Sequence, residues 1–223
     1  MKVRRQTIAK ALVVVFVLNL AVMGAGAWLS YQEAPPIPWT IEGSDGETVV
    51  TGERVRDGKK AFQRYGLMNH GSILGNGAYY GVDYTADALD LKVEHIRSYD
   101  AEERYGDEYD ALDAEKRAVV NERVQQDLES GAASDEIRYS EAERYAHEQV
   151  RQTYVERYHE SDAERGVPAG MVESEEEAEE FADFALWTAW IAHTDRPGAD
   201  HSYTNDWPYQ PVAGNDPTGA TMT

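Results

Sequence analysis

The chain of 223 residues contains no cysteine. That absence excludes disulfide bonds, thiolate chemistry, iron–sulfur clusters and covalently attached c-type haem, but it does not indicate the redox compartment. Lysine is also scarce, with six residues against fifteen arginines, whereas Asp and Glu together number 41. The net charge of -20 argues against nucleic acid as a partner, because its phosphates would meet a negative surface.

Acidic residues are absent from residues 1–30, so the remainder carries 41 acidic against 17 basic residues. Self-repulsion at this density destabilises a compact chain at low salt. At molar salt the Debye length falls to about 3 Å and the repulsion is screened. Many acids, few lysines and no cysteine therefore favour a salt-loving organism, with an ordinary acidic protein as the alternative. Disorder is disfavoured, because 10% of the residues are aromatic.

The N-terminal segment 1–30 is predicted to be a membrane anchor. Ala11 to Leu29 is an uncharged apolar run, long enough as a helix to span a bilayer at about 1.5 Å per residue. Four basic residues precede the run and the next one is Arg54, which predicts a cytoplasmic N-terminus and an extracytoplasmic bulk. The alternative is a cleaved signal peptide with a small-residue site at 25–27. We favour the anchor, because the apolar run continues through Trp28 and Leu29.

The rest of the chain divides into three predicted parts. Residues 31–52 contain three prolines and a polar, turn-rich stretch, and are expected to form an extended linker. Residues 53–196 are expected to be a helical hydrophilic domain with little strand. Residues 197–223 are polar, aromatic and Pro-rich without a helical or strand period, which predicts an irregular tail.

Apolar spacing predicts several helices in the hydrophilic domain. One begins at Asp83, and residues 100–129 are expected to form one long charged helix. Ser140 and Ser174 each precede a Glu by three residues, which predicts capping boxes at two further helix starts. The helix after Ser174 turns strongly apolar but is too short to cross a bilayer, so it is either a core helix or one at the membrane surface.

Candidate catalytic motifs are few. The six histidines include no pair at i, i+4, which excludes an HExxH-type metal site, and a haem between two histidines is disfavoured. The acidic run 175–180 is expected to be a solvated helix face rather than a calcium loop. Residues 66–81 contain five glycines among large apolar side chains; they match no phosphate-binding motif and are expected to be an ordered loop, with packing favoured over a ligand-binding role.

Two stretches carry a specific resemblance. The first, residues 61–89, is AFQRYGLMNHGSILGNGAYYGVDYTADAL, and the second, residues 202–218, is SYTNDWPYQPVAGNDPT. Both resemble the N-terminal region of the quinol-dependent nitric oxide reductases of the haem–copper oxidase superfamily. The motif positions that carry the resemblance are Gly66, Gly71, Gly75, Gly77, Tyr203, Trp207, Pro208, Gly214 and Asn215.

The resemblance implies a mostly α-helical fold, in which one N-terminal transmembrane helix is followed by a cytochrome c-like extracytoplasmic domain that has lost its haem. The family reduces two nitric oxide molecules to nitrous oxide with electrons from quinol, in denitrification. Its haem b and non-haem iron are held by later helices, so this chain is expected to hold no catalytic residue, cofactor or metal. Its expected partners are the membrane and a polytopic haem-bearing chain or region.

Three alternatives remain on the sequence alone. Thr223 precedes the position where the family continues into its catalytic helices, so the chain is expected to be either a truncated reductase or a split-gene partner. From a different class, a free-standing anchored module that binds an extracellular ligand would share the same layout. An anchored electron carrier is the third alternative, and it would need a haem.

Overall fold

A computed structural model describes residues 5–32, 34–76, 81–130 and 137–217. The chain forms two compact units, residues 1–36 and residues 37–223. Most of the described residues are helical, which confirms the predicted fold class. The elements in chain order are α1 Arg5–Gln32, β1 Thr40–Gly43, β2 Thr48–Thr51, α2 Gly52–Arg64, β3 Gly71–Ser72, β4 Val82–Asp83, α3 Tyr84–Tyr105, α4 Ala114–Ser130, β5 Ile137–Tyr139, α5 Glu141–Tyr154 and α6 Glu175–His193.

The first unit consists mainly of α1, which contains the predicted segment from Ala11 to Leu29. Every described side chain from Gln6 to Gln32 is exposed. The helix is long and apolar enough to cross a membrane. A signal sequence has the same length and composition, so retention of the anchor stays a prediction.

The second unit begins with a small sheet rather than with a linker. β1 pairs antiparallel with β2, and parallel with β5 on its other edge. The segment 31–52, predicted as an extended linker, therefore contains a hairpin of the folded unit from Thr40 to Thr51. Ile41 alternates with its polar neighbours Thr40 and Glu42, which is the sequence signal for β1. In β2, Val50 is buried and Val49 only half-buried, so one face of each strand points to the core.

The long helix predicted for residues 100–129 is wrong. α3 ends at Tyr105, and Gly106 in the left-handed conformation caps it by donating its N–H to the Glu102 carbonyl. A 3₁₀ turn follows, and the Asp113 carboxylate accepts from the N–H of Lys116 at the start of α4. A glycine C-cap and an acidic N-cap thus divide the charged segment into two helices.

The helix predicted after Ser140 is confirmed, with both hydrogen bonds of the capping box present. Its buried residues recur every fourth position from Ala142 to Tyr158, a longer repeat than the 3.6 residues of an α-helix. The last turn, Val155–Glu160, is π-helical and keeps Tyr158 on the buried side. A π turn contains more residues than an α turn, which accommodates the four-residue repeat.

Helix α6 lies at the centre of the second unit, packed against α2, α3 and α5. Ser174 caps its N-terminus by accepting from the N–H of Glu177. From Phe181 to Ala192 every residue except Trp187 is buried, which identifies a core helix. Five aromatic rings pack around its first half with neighbouring centroids 5.0–6.0 Å apart: Phe62, Tyr84, Tyr154, Tyr158 and Phe181.

Candidate functional site: two motif loops and a buried charge network

The glycine-rich loop is held against the start of α3. A side chain at Gly71 would place its Cβ 2.4 Å from the Tyr84 ring, so only glycine fits. Tyr84 is fully buried and donates its hydroxyl to the Leu67 carbonyl at 3.0 Å. The loop backbone and the first residue of α3 are therefore in direct contact.

Asp83 connects the loop to the N-terminus of α3. Its Oδ1 accepts from the N–H groups of Thr85 and Ala86, at 2.9 and 3.1 Å. Its Oδ2 accepts from the Ser72 hydroxyl at 2.7 Å and from the N–H of Gly75 at 2.9 Å. One carboxylate thus caps the helix and fixes the turn of the loop, which is a favourable place for a negative charge.

A chain of hydroxyls continues from the loop to the core. The N–H of Leu74 donates to Thr85 Oγ1, which donates to Thr188 Oγ1 at 3.0 Å. Thr188 in turn donates to the Ala185 carbonyl within α6. Both threonines are fully buried, so this chain satisfies polar groups that would otherwise be costly in the core.

The second motif stretch meets the first. Gly75 has φ +73, and a Cβ built there would lie 3.6 Å from the indole ring of Trp207. The Trp207–Pro208 peptide bond is cis, and Pro208 is buried. The structure therefore brings together two stretches whose contacting residues, Gly75 and Trp207, lie 132 positions apart in the sequence.

The tail is also attached to the end of α6 and to α3. Asn215 is 2% exposed, and its Nδ2 donates to the Ala192 carbonyl at 2.9 Å. The side chain of Gln210 donates to Asp90 at 2.6 Å. These contacts show why a segment without helical or strand periodicity is nevertheless ordered.

The remaining motif positions that the structure describes lie in turns or pack against the core. Gly66 and Gly214 are left-handed and lie at the ends of short turns, with φ +63 and +82. Tyr203 is half-buried and packs against the core. Gly77 lies outside the described residues. The role of the nine positions as structural motif residues stays a prediction.

A second constellation, not predicted from the sequence, is centred on Asp183 in α6. Its carboxylate is fully buried and accepts four hydrogen bonds. His147 Nε2 lies 2.7 Å and Arg151 Nε 2.8 Å from Oδ1, whereas Arg54 Nε lies 2.8 Å and Arg151 Nη2 3.1 Å from Oδ2. Arg151 also donates to the Val49 carbonyl at 3.0 Å. One carboxylate therefore joins α2, α5, α6 and strand β2.

The electrostatics of this network favour an ionised Asp183 beside a neutral His147. Burial by itself would raise the pKa of Asp183, but the hydrogen bonds from His147 and Arg151 and the positive charge of Arg151 outweigh it and lower that pKa to about 2. Burial lowers the pKa of His147, opposed by Asp183. A neutral imidazole donates from Nε2 to Asp183, and its buried Nδ1 has no hydrogen-bond partner in the described part of the chain. The carboxylate is fully used by its donors, so the network connects α2, α5 and α6.

A separate buried ion pair lies between α3 and α5. Lys92 and Glu143 are 2% and 1% exposed, and their charged atoms lie 2.9 Å apart. The Lys92 ammonium also lies 4.4 Å from the centroid of the Tyr139 ring. Farther along α6, burial and then the charge of Lys92 lower the pKa of His193 to about 3. His193 is therefore neutral at ordinary pH.

Sequence reasoning missed the Asp183 network for an identifiable reason. A lone acid within the apolar half of a helix was visible, but its partners are not local. Arg54 is 129 positions away and His147 is 36 positions away. No periodicity relates them, and only the packing of α2 and α5 on α6 brings them together.

Residues that could hold a metal do not converge in the part of the chain that the structure describes. There, no group of three His, Cys, Asp or Glu side chains is arranged to coordinate an ion. His147 is occupied by Asp183, and His159 Nδ1 lies 2.9 Å from the Val172 carbonyl. These two histidines are therefore already engaged by protein groups, and the expected absence of a cofactor in this chain stays a prediction.

The architecture defines a class of protein: an apolar helix of membrane-spanning length followed by a helical domain held together by buried polar contacts. The family of NorB cytochrome c-like domains, which are domains of nitric oxide reductase, matches residues 38–209. That range includes most of the chain, all of the first motif stretch and residues 202–209 of the second, and the chain belongs to this family. A search of curated proteins finds no significant match.

Proposed function

We propose that the chain is the extracytoplasmic N-terminal portion of a quinol-dependent nitric oxide reductase, structural and not catalytic by itself. The observation that carries the proposal is the family match over residues 38–209. The contact between the glycine-rich loop and the Trp-Pro-Tyr tail supports it, because the two stretches that resemble the reductases form one packed surface.

A structural role is supported by the hydrogen bonds and ion pairs that already occupy the buried ionisable side chains. Asp183 accepts four hydrogen bonds, and Lys92 is paired with Glu143. General acid–base catalysis needs a group within reach of a substrate proton and with a matched pKa. Asp183 and His147 are buried inside the helix packing, with pKa values displaced away from neutrality.

The proposed topology has a cytoplasmic N-terminus, one membrane span through α1 and an extracytoplasmic domain. Its support is the charge asymmetry, with Lys2, Arg4, Arg5 and Lys10 before the apolar run and no further basic residue until Arg54. The haem b and non-haem iron of the reaction would be held by a polytopic catalytic region, in the same polypeptide or in a partner chain.

The functional test is complementation. In a host that reduces nitric oxide, removal of this coding sequence is expected to abolish quinol-driven nitric oxide consumption by membranes, and the unchanged protein should restore it. A variant with His70→Ala, His159→Ala and His201→Ala should restore it equally, because these histidines lie outside the buried networks. Loss of turnover in this variant, with folding and membrane attachment intact, would contradict a structural role.

We also propose that the domain works at high salt. The support is 41 acidic residues against 17 basic ones outside the first thirty positions. Thermal unfolding in potassium chloride, from about 0.1 M to molar concentrations, should show a rising midpoint as the repulsion is screened. A midpoint that is independent of salt would indicate an ordinary acidic protein.

A further inference from the structure

Trp39 is the least buried large apolar residue of the described chain. Its side chain is 87% exposed, although tryptophan is the residue with the most apolar surface to hide. It lies directly before β1, on the first few residues of the folded second unit. Its ring therefore carries a large apolar area that contact with a lipid surface would remove from water.

The backbone of Trp39 is fixed rather than free. Its carbonyl accepts from the N–H of Gly52 at 2.9 Å, at the open end of the β1–β2 hairpin. The next residue, Thr40, is paired with Thr51. The indole is therefore presented outward from an ordered strand end.

The surroundings of Trp39 in the sequence are unusual for this chain. Residues 34–41, APPIPWTI, contain no charged side chain in a protein with 28% charged residues. An acidic surface would be repelled by anionic lipid headgroups, so an uncharged segment is the part that can approach them. Tryptophan itself is enriched at the headgroup level of membranes, where its apolar ring and polar N–H are both accommodated.

The covalent connection limits how far Trp39 can be from the end of α1. Trp39 follows Gln32 by seven positions, and a fully extended chain over seven steps reaches at most about 25 Å. Trp28 and Tyr31, in the last turns of α1, are 63% and 80% exposed and have the composition of an interfacial belt. A second aromatic group within this reach can contact the same headgroup layer.

We propose that Trp39 inserts into the headgroup region of the bilayer that α1 spans. The partner is lipid, not a second protein chain. The proposal rests on α1 being a retained membrane anchor, and it is independent of the catalytic assignment.

The absence of native cysteine permits a direct test. A Trp39→Cys variant of the full chain carries a nitroxide label and is reconstituted into vesicles of phosphatidylcholine and phosphatidylglycerol. Accessibility to molecular oxygen, which partitions into the bilayer, is compared with accessibility to a water-soluble nickel complex. The matched control is Ser44→Cys, which is exposed in the turn at the opposite end of the same hairpin.

Insertion predicts an oxygen-to-nickel accessibility ratio that is several-fold higher at position 39 than at position 44. Equal ratios would overturn the proposal and would indicate that a protein partner absent from the vesicles covers Trp39. Dilution of the labelled chain with unlabelled chain tests a second copy, since loss of dipolar broadening at position 39 would place a neighbouring chain there and also overturn it. Circular dichroism matching that of the unchanged chain verifies that both variants are folded.

Discussion

Helices α1 and α6 are both strongly apolar, yet one is exposed over its described length and the other is almost entirely buried. α1 has no charge from Ala11 to Leu29, whereas α6 contains Asp183 in the middle of its apolar segment. The difference shows that a charged side chain within an apolar helix indicates a protein core rather than a bilayer, because the charge needs buried partners. A bilayer supplies no partner for a carboxylate, but the core supplies Arg54, Arg151 and His147.

The largest expected effect comes from removing the buried carboxylate of Asp183 from α6. Asp183→Ala leaves two arginines and a histidine around an empty, buried position, and should lower the free energy of unfolding by about 3 kcal/mol or more. Denaturant unfolding of the full chain in detergent, followed by tryptophan fluorescence, measures it. Glu148→Ala removes only an exposed partner of Arg151 and should cost less than about 0.5 kcal/mol. Equal costs would show that the buried network is not what stabilises the packing.

A pair of identical substitutions sharpens the comparison of the two helices. Leu186→Ala in α6 removes a side chain that is 2% exposed and should cost about 3 kcal/mol. Leu18→Ala in α1, where leucine is 59% exposed, should leave the unfolding of the second unit unchanged within about 0.5 kcal/mol. The same unfolding assay compares them. A large loss from Leu18→Ala would mean that α1 contributes to the core.

Acid pH should weaken the α6 region gradually. His193 has its folded-state pKa lowered to about 3, so the unfolded chain binds more protons and stability is lost as the pH falls below about 6.5. The lowered pKa of Asp183, about 2, keeps its own contribution present down to about pH 4 and removes it below that value. Unfolding free energies measured from about pH 7 to about pH 3 should decrease, and His193→Gln should reduce the slope. An unchanged slope in that variant would contradict the assignment to His193.

The smallest effect concerns the contact between the two motif stretches. Gly75→Ala places a Cβ on a left-handed residue beside the Trp207 ring and should cost about 1 to 2 kcal/mol. The midpoint of thermal unfolding measures it. Gly170→Ala is the control for conformation alone, because its φ is +66 and nothing lies within 4 Å of the added Cβ. If the two variants differ little, contact with Trp207 adds nothing beyond the backbone cost.

Local signals made much of the helical fold predictable. Ser140 with Glu143, Asp83 before α3 and the apolar run of α1 are adjacent patterns whose meaning does not depend on distant residues. The hairpin from Thr40 to Thr51 was missed because neighbouring prolines and glycines suggested a linker. The break at Gly106 was missed because charged residues continue on both sides of it.

In the candidate site, too, local motifs were predictable from the sequence and contacts between distant residues were not. The glycine-rich and Trp-Pro-Tyr stretches were identified from the sequence as motifs, but their mutual contact depends on the position of Trp207 over Gly75. The Asp183 network depends on arginines from two other helices, so no window of sequence contains it.

We propose that this domain is part of a nitric oxide reductase and supports rather than performs its chemistry. The most direct measurement is to tag the N-terminus, extract native membranes in molar salt with mild detergent, and record the mass and absorption spectrum of what is purified. The account predicts a haem-bearing species, in which the tagged domain is accompanied by polytopic catalytic helices in the same or another chain. A colourless protein of 25.0 kDa alone would contradict the account.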